Sequence, residues 1–139
     1  MDDRIHLQIV TAGGVVRDDK VSEIVVPLDG GTIGILADHA PLMGAVTDGV
    51  VVSTKADGTK AYTAVGIGVL NVVQNEVSLL VRAAENAEDI DLQRAEAAEH
   101  RARERLEHRD GVDILRAEAA LHRAIARQDA ANMAGKRKI

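Results

Sequence analysis

A chain of 139 residues that is 46% hydrophobic and 28% charged is a globular mixture with room for one ordinary domain or two small ones. It has no Cys, which excludes a disulfide framework and a Cys-rich zinc site; one Tyr, no Trp and no Phe leave little to stack on bases, and a net charge of -5 repels a phosphate backbone, so no nucleic-acid partner is expected. No apolar run approaches a membrane span, so no membrane insertion is expected, and Met1-Asp2-Asp3-Arg4 lacks the basic and apolar parts of a secretory signal, so the mature chain is expected to begin near Met1.

From the N-terminus, Ile5, Leu7, Ile9 and Val10 interleave with His6, Gln8 and Thr11 at the period of a half-buried strand. Similar runs predict strands at Val21 to Leu28, Thr32 to Leu36, Gly49 to Thr54, Lys60 to Ala64, Ile67 to Val72 and Val77 to Val81. Turn signals separate them: Ala12-Gly13-Gly14, Asp18-Asp19, Asp29-Gly30-Gly31, Asp48-Gly49, Asp57-Gly58 and Gln74-Asn75. Gly supplies positive φ, and Asp and Asn tolerate left-handed backbone. Many short strands at this spacing imply a sandwich or barrel with a core of Val, Ile and Leu.

One corner stands out, Gly34-Ile35-Leu36-Ala37-Asp38-His39-Ala40-Pro41-Leu42. Pro41 cannot donate to a ladder and restricts Ala40, so the strand is expected to end there. His39 invites a catalytic or metal-binding role. No Ser or Cys nucleophile with a base and an orienting acid accompanies it, and only Asp38 offers itself as a second ligand, so His39 is read as a structural residue that hydrogen-bonds the corner.

At Ile90 the period changes to that of an α-helix, with Ala95, Ala98, Ala102 and Leu106 at steps of three and four. Asp89 or Asp91 can cap the start, and His108-Arg109-Asp110-Gly111 supplies a basic last turn and then a Gly stop. A second helix is expected from Val112 or Asp113, with Ile114, Leu121 and Ile125 on one stripe and Ala117, Ala120, Ala124 and Ala131 beside it. A short link makes the two antiparallel neighbours. Ten of the 12 Gly precede Glu85, and up to Ala84 there are 6 basic against 10 acidic residues, compared with 11 against 12 afterwards. Two domains of different kind follow: an antiparallel β-sandwich over residues 1-86 and an α-helical hairpin over 87-139. The Ala stripes are thin, so the hairpin is expected to leave its resting place easily.

On a helical wheel, Arg94, Arg101 and Arg105 share one arc beside the Ala stripe of the first helix, and Arg116, Arg123 and Arg127 a similar arc on the second. Such rows suit a triphosphate clasped between the helices or an acidic partner. They equally suit a solvated face in which Glu99, Glu104, Glu107 and Glu118 form ion pairs of a few tenths of a kcal/mol each. The Lys136-Arg137-Lys138 tail is read as a solubilising end.

In this order the features resemble the epsilon subunit of the bacterial F-type ATP synthase, over nearly the whole chain. Gly34 to Leu42 matches that family's Gly-Ile/Val-Leu-x-x-His-Ala-Pro-Leu corner. Gly66-Ile67-Gly68-Val69-Leu70-Asn71-Val72 resembles its Gly-Gly-x-Leu/Phe-x-Val strand, and Ala84-Glu85 with Ile90-Asp91 the junction before its helices. The resemblance implies a non-catalytic rotor component of the central stalk. It would be peripheral on the cytoplasmic face of the cell membrane, docked on the gamma subunit and the c ring. Its hairpin would fold on the sandwich or extend into the alpha/beta catalytic head, where it restrains ATP hydrolysis. The resemblance implies no required cofactor; ATP enters as a regulatory ligand. Ile90-Asp91-Leu92-Gln93-Arg94-Ala95 matches the family's nucleotide motif, Ile/Leu-Asp-x-x-Arg-Ala. By that match the implied ATP site is Glu85, Ile90, Asp91, Arg94, Arg101, Arg123 and Arg127. Thr32 stands where many members carry an acidic residue, which implies a less polar contact with the c ring. A free-standing ATP-binding sensor and a small hydrolase built on His39 are the competing readings.

Overall fold

Ile5, Leu7 and Ile9 are fully buried while His6, Gln8 and Val10 between them are not, so the first strand lays one face on a core and turns the other outward. The structure, a computed structural model, describes residues 2-108 and 113-135. Its strands are β1 (Ile5–Thr11), β2 (Gly14–Val21), β3 (Glu23–Leu28), β4 (Gly31–Leu36), β5 (Leu42–Val46), β6 (Gly49–Thr54), β7 (Lys60–Val65), β8 (Gly68–Val73), β9 (Glu76–Val81) and β10 (Ala84–Asn86). They hydrogen-bond in the order β10-β7-β6-β3-β5-β8-β9-β1-β2, with β4 paired to β3. The ribbon folds over at β3, whose Glu23 to Val25 pair with β6 while Leu28 pairs with Val46 of β5. The two layers enclose an aliphatic core that includes Ile5, Leu7, Ile9, Ile24, Val26, Ile35, Leu70 and Leu79.

The sandwich is antiparallel as expected, with one exception: β1 runs parallel to β9, from His6 opposite Glu76 to Val10 opposite Leu80. Parallel neighbours need a long connection, and the seven strands between these two supply it. Three strands escape the sequence reading: β2, β5 and β10. Asp18-Asp19, read there as a turn, lies inside β2 opposite Gln8 and Leu7. Asp favours turns because its carboxylate binds nearby backbone. Here the carboxylates bind side chains instead, Asp18 those of His6 and Gln8, and Asp19 that of Arg17. β5 was hidden by the corner before it, and β10 by its three-residue length.

The predicted turns at Gln74-Asn75 and the corner interlock. Gln74 and Asn75 both have positive φ, 50° and 65°, which matches the twist of a tight hairpin. Asp38 ends the run after β4 at φ 64°, and its backbone N–H donates to Asn75 Oδ1 at 2.7 Å.

A single 3-10 turn at Ala87–Asp89 leads to α1 (Leu92–Glu107), and α2 (Ile114–Met133) follows. Of the two caps available to α1, Asp91 serves: its carboxylate accepts from the Arg94 N–H at 3.1 Å. Asp113 caps α2 in the same way through the Arg116 N–H. The helix ends at His108, and the stop expected at Arg109 to Gly111 lies outside the described residues. On α1 the buried stripe is the expected one, Ala95 and Ala102 buried with Ala98 and Leu106 half-buried. On α2 the expectation needs correcting. Ala117, Ala124, Ala126, Ala130 and Ala131 are buried, whereas Ile114, Leu121 and Ile125 are only half-buried. The reason is that α2 has contacts on two sides, α1 on one and β6 and β7 on the other. Close approach on both sides selects Ala and displaces the branched side chains to a flank. The sheet-side seam is a small cluster of Ala64, Ala87, Ile90, Ala126, Ala130 and Ala131, bordered by Val50, Tyr62 and Leu92.

Candidate functional site

Two cavities flank α2 on its cationic side. One, of about 330 Å³, lies between the sandwich and α2 and is lined by Ala84 and Glu85 of β10 with Gly66, Arg123, Ala126 and Arg127 among the others. Arg127 Nε donates to Glu85 Oε1 at 2.8 Å across it. The second, of about 300 Å³, lies between the helices and is lined by Ala98, Arg101, Ala102 and Arg105 of α1 and by Ala120, Arg123, Ala124 and Arg127 of α2. Arg123 and Arg127 border both.

The residues expected at the ATP site thus separate into two groups. Glu85, Arg101, Arg123 and Arg127 line these adjoining cavities. Ile90, Asp91 and Arg94 line neither. Ile90 is 4% exposed inside the seam, Asp91 is the helix cap, and the Arg94 guanidinium is 83% exposed with its Nε 3.7 Å from Asp91 Oδ2. Their letters mark a helix start, and the chain uses the same letters twice. Asp91-Leu92-Gln93-Arg94-Ala95-Glu96-Ala97-Ala98 recurs as Asp113-Ile114-Leu115-Arg116-Ala117-Glu118-Ala119-Ala120, and His100-Arg101-Ala102 as His122-Arg123-Ala124, all displaced by 22 residues. The same step carries Arg105 onto Arg127, so the repeat is the signal that adds Arg105 to the groove.

Two of the acidic residues that could neutralise the Arg rows, Glu99 and Glu104, are occupied elsewhere. Glu99 accepts from Arg103 and Gln128, both at 2.6 Å, and these bonds, that of Arg103 foremost, hold its carboxyl below the usual range. Glu104 lies 3.1 Å from His100. Among the described residues Arg101, Arg105 and Arg123 have no ion-pair or hydrogen-bond partner for their side chains. Cations without counter-charge in a concave wall are a receptor for an anion.

Two structural residues complete the frame. Arg17, with a side chain 12% exposed, donates to Thr63 Oγ1 at 3.1 Å, Asn86 Oδ1 at 3.0 Å, Asp19 Oδ2 at 2.7 Å and Glu88 Oε1 at 3.0 Å. It joins β2, β7, β10 and the 3-10 turn, and the polar run Arg17-Asp18-Asp19 concealed it as a turn. His39 sits 2.7 Å from the Ala40 carbonyl, to which Nδ1–H donates, so it bonds its own corner. Among the described residues no three His, Asp or Glu side chains converge as metal ligands do. None of their helices is long and apolar enough to cross a membrane.

The outer face of the layer away from the hairpin carries an apolar row. Ala45 lies opposite Val69, Val69 opposite Leu80, Leu80 opposite Val10 and Val10 opposite Val15, across five strands. Val69, Leu80 and Val15 are 45%, 62% and 59% exposed, with Met43 beside them at 72%.

Residues 4–87 match the family profile described as ATP synthase, Delta/Epsilon chain, beta-sandwich domain, and residues 88–132 the one described as the long alpha-helix domain of the same chain. The ATP synthase epsilon chain of Carboxydothermus hydrogenoformans is 43% identical over 109 residues, 78% of this chain and 81% of that one. The chloroplastic epsilon chain of Cyanidioschyzon merolae is 39% identical over 103 residues, 74% of this chain and 78% of that one. A chain in the Euglena gracilis mitochondrial ATP synthase structure (OSCP/F1/c-ring) has the same fold, with a TM-score of 0.79 at 19% identity, covering 99% of this chain and 84% of that chain.

Proposed function

Because the chain belongs to the epsilon-chain family of the ATP synthase, we propose that it acts as a non-catalytic central-stalk subunit whose hairpin regulates ATP hydrolysis. In this reading the sandwich is the fixed part. Its uncovered apolar row from Ala45 to Val15 docks on the gamma subunit, and the corner and turns at one end face the c ring, holding the protein peripherally at the cytoplasmic face of the membrane. The hairpin rests on the sandwich in the relaxed state and extends into the alpha/beta head to restrain hydrolysis.

The observation that carries this reading is the seam under α2. Five of its six buried members are Ala, namely Ala64, Ala87, Ala126, Ala130 and Ala131, and among the described residues two charged-side-chain contacts hold its flanks: Arg127 to Glu85 at 2.8 Å and, as an ion pair when the imidazole is protonated, His122 to Asp48 at 3.8 Å. Each Ala removes little apolar surface from water, so the docked and extended states differ by a small free energy. A ligand biases such a pair of states only by its difference in affinity for them. ATP bound where Glu85 and Arg127 face each other would contact both sandwich and hairpin and favour docking. Arg101, Arg123 and Arg127 would hold its phosphates, and Glu85 its nucleoside end.

The test uses the absence of native Cys. Asp48→Cys/His122→Cys, bridged by a short thiol crosslinker in the assembled enzyme, pins the hairpin to the sandwich. Release of the restraint on ATP hydrolysis, reversed when a cleavable linker is cut, is expected. Hydrolysis that stays equally restrained after crosslinking would overturn the moving-hairpin reading.

A further inference from the structure

Arg17, Asp19 and Val21 of β2 lie opposite Ile9, Leu7 and Ile5 of β1, the three residues of that strand that are buried in the core. Cross-strand partners share a face, so all three point between the layers. Ser53 of β6 and Ala61 of β7, themselves paired, come from the layer opposite. Together with Lys55 they line a cavity of about 140 Å³ that adjoins the aliphatic core at Val21. Its lining shares no residue with the cavities around α2. Ser53 is 2% exposed, and its hydroxyl enters none of the hydrogen bonds among the described residues. No enclosed side-chain oxygen or nitrogen among those residues lacks a partner, so this hydroxyl opens into the cavity. Arg17 uses Nε and one N–H of each terminal nitrogen on Thr63, Asn86, Asp19 and Glu88, which leaves two N–H donors. Lys55 makes no ion pair among the described residues; Asp57, whose charge it feels, accepts from the Thr59 N–H at 2.8 Å. One acceptor shares the wall with these donors, Asp19, whose Oδ2 takes the Arg17 bond and whose Oδ1 is left over.

We propose that this cavity binds a small oxyanion that carries a proton, hydrogenphosphate or bicarbonate. Arg17 and Lys55 against one carboxylate, with a buried hydroxyl in the same wall, leave net positive charge and several donors for anionic oxygens. The volume is well below the roughly 300 Å³ at which pockets begin to hold drug-sized ligands, so the ion has only a few heavy atoms. Asp19 decides which ion. A carboxylate only accepts, so an oxyanion with an O–H can donate to Oδ1, whereas sulfate, fully ionised at neutral pH, sets lone pair against lone pair there. The bound ion joins Arg17 of β2 to Ser53 and Lys55 of the β6 side and so ties the two layers together.

Isothermal titration of the full chain with sodium phosphate, bicarbonate and sulfate, at neutral pH and matched ionic strength, tests this. The variants are Ser53→Ala and Lys55→Gln in the cavity, with two controls. Lys20→Gln removes a charge from the other face of β2, opposite His6, and Arg123→Gln one from the cavities around α2. Thermal melts without added anion establish that each variant is folded. Phosphate or bicarbonate is expected to bind at least tenfold more tightly than sulfate, and the tighter of the two identifies the ion. Each cavity variant should lose about tenfold, the scale of one hydrogen bond to a charged group, and each control less than twofold. Binding of none of the three ions overturns the inference, as does sulfate binding equal to that of the protonated ions. A Lys20→Gln loss as large as those in the cavity reduces the effect to diffuse charge and overturns it too. A loss confined to Arg123→Gln moves the ion to the hairpin, which overturns the sandwich site and leaves the nucleotide reading standing.

Discussion

His6 shows how a single side chain carries information about pH. Its Nδ1 lies 2.8 Å from Glu76 and its Nε2 2.7 Å from Asp18, so both ring nitrogens face carboxylates, an arrangement that favours the doubly protonated imidazole. The Asp18 hydrogen bond chiefly, with Glu76 in support and partial burial opposing, raises the His6 pKa above its ordinary value. A raised folded pKa stabilises the fold fully below the unfolded value, near 6.5, and the contribution disappears as pH rises through the folded value. The Asp18 carboxyl is lowered, by Gln8 first and His6 second, so its contribution exists above the ordinary Asp range and is lost as pH falls through the folded value. Thermal melts from about pH 5 to about pH 9 are expected to show Tm falling on the alkaline side. His6→Gln should flatten that fall, and an unchanged slope in the variant would remove His6 as its cause. Gly68 constrains the fold through space alone: a Cβ there would strike the Leu80 carbonyl and Val81 of the adjoining strand. Gly68→Ala is expected to cost about 1-3 kcal/mol in urea unfolding through forced displacement of β9. A loss below about 0.5 kcal/mol, the range of ordinary surface changes, would mean that β9 gives way freely.

Between elements, the junction is held by side chains and the helix by shape. Arg17 ties Asn86 and Glu88 to β2 and β7, so in the proposed moving-hairpin reading the chain through Glu88 stays with the sandwich and the pivot falls at Asp89 to Asp91. Arg17→Met leaves Asp19, Asn86 and Glu88 without their shared donor. A loss of about 2-3 kcal/mol is expected, with amide exchange of β10 accelerated well beyond that of β1 and β9. Equal acceleration in all three would make Arg17 an ordinary contributor to global stability. At the other seam, Ala130 is fully buried between α2 and the sheet. Ala130→Leu overfills it and is expected to lift the hairpin off. Exchange in α2 should then rise toward that of an isolated Ala-rich helix while the sandwich keeps its denaturation midpoint. A shift of that midpoint would mean that helix and sheet unfold as one unit.

At the scale of the molecule, the two faces of the sandwich are used differently. One is covered by α2, and the other presents the row of Ala45, Val69, Leu80, Val10 and Val15. In the proposed stalk role Leu80, 62% exposed, lies at the centre of the gamma interface. Leu80→Asp should leave the isolated fold intact, because the side chain faces water, yet abolish co-elution with gamma by size-exclusion chromatography. Retention of the complex would move the interface elsewhere.

How much of this was legible in the sequence depends on the range of the interactions. Period two around Ile5, Leu7 and Ile9, period 3.6 around Ala95 and Ala102, and the Gly-rich and Asn-rich turns are local, so a sandwich followed by two helices could be read directly. A cap at Asp89 or Asp91 and a helix start near Asp113 were legible for the same reason, as was the clustering of Arg101, Arg105, Arg123 and Arg127 on matching flanks. The sequence could not show that Asp18 and Asp19 sit within a strand, because the Asp18 partners His6 and Gln8 reach it only through the sheet and Arg17 bonds Asp19 only once both lie on β2. Nor could it show that Ile114, Leu121 and Ile125 stand aside while Ala126 and Ala130 face the sheet, because the second contact surface of α2 comes from β6 and β7, which end at Thr54 and Val65, far back in the chain. The tertiary structure also decided the fate of the segment Ile90 to Arg94. Its spacing permits a ligand site, and the fold sets the starting geometry for one: Ile90 buried in the seam, Asp91 capping the helix and Arg94 turned to solvent. Local patterns fix which elements form; which side chains meet is fixed by the close packing of elements far apart in the chain.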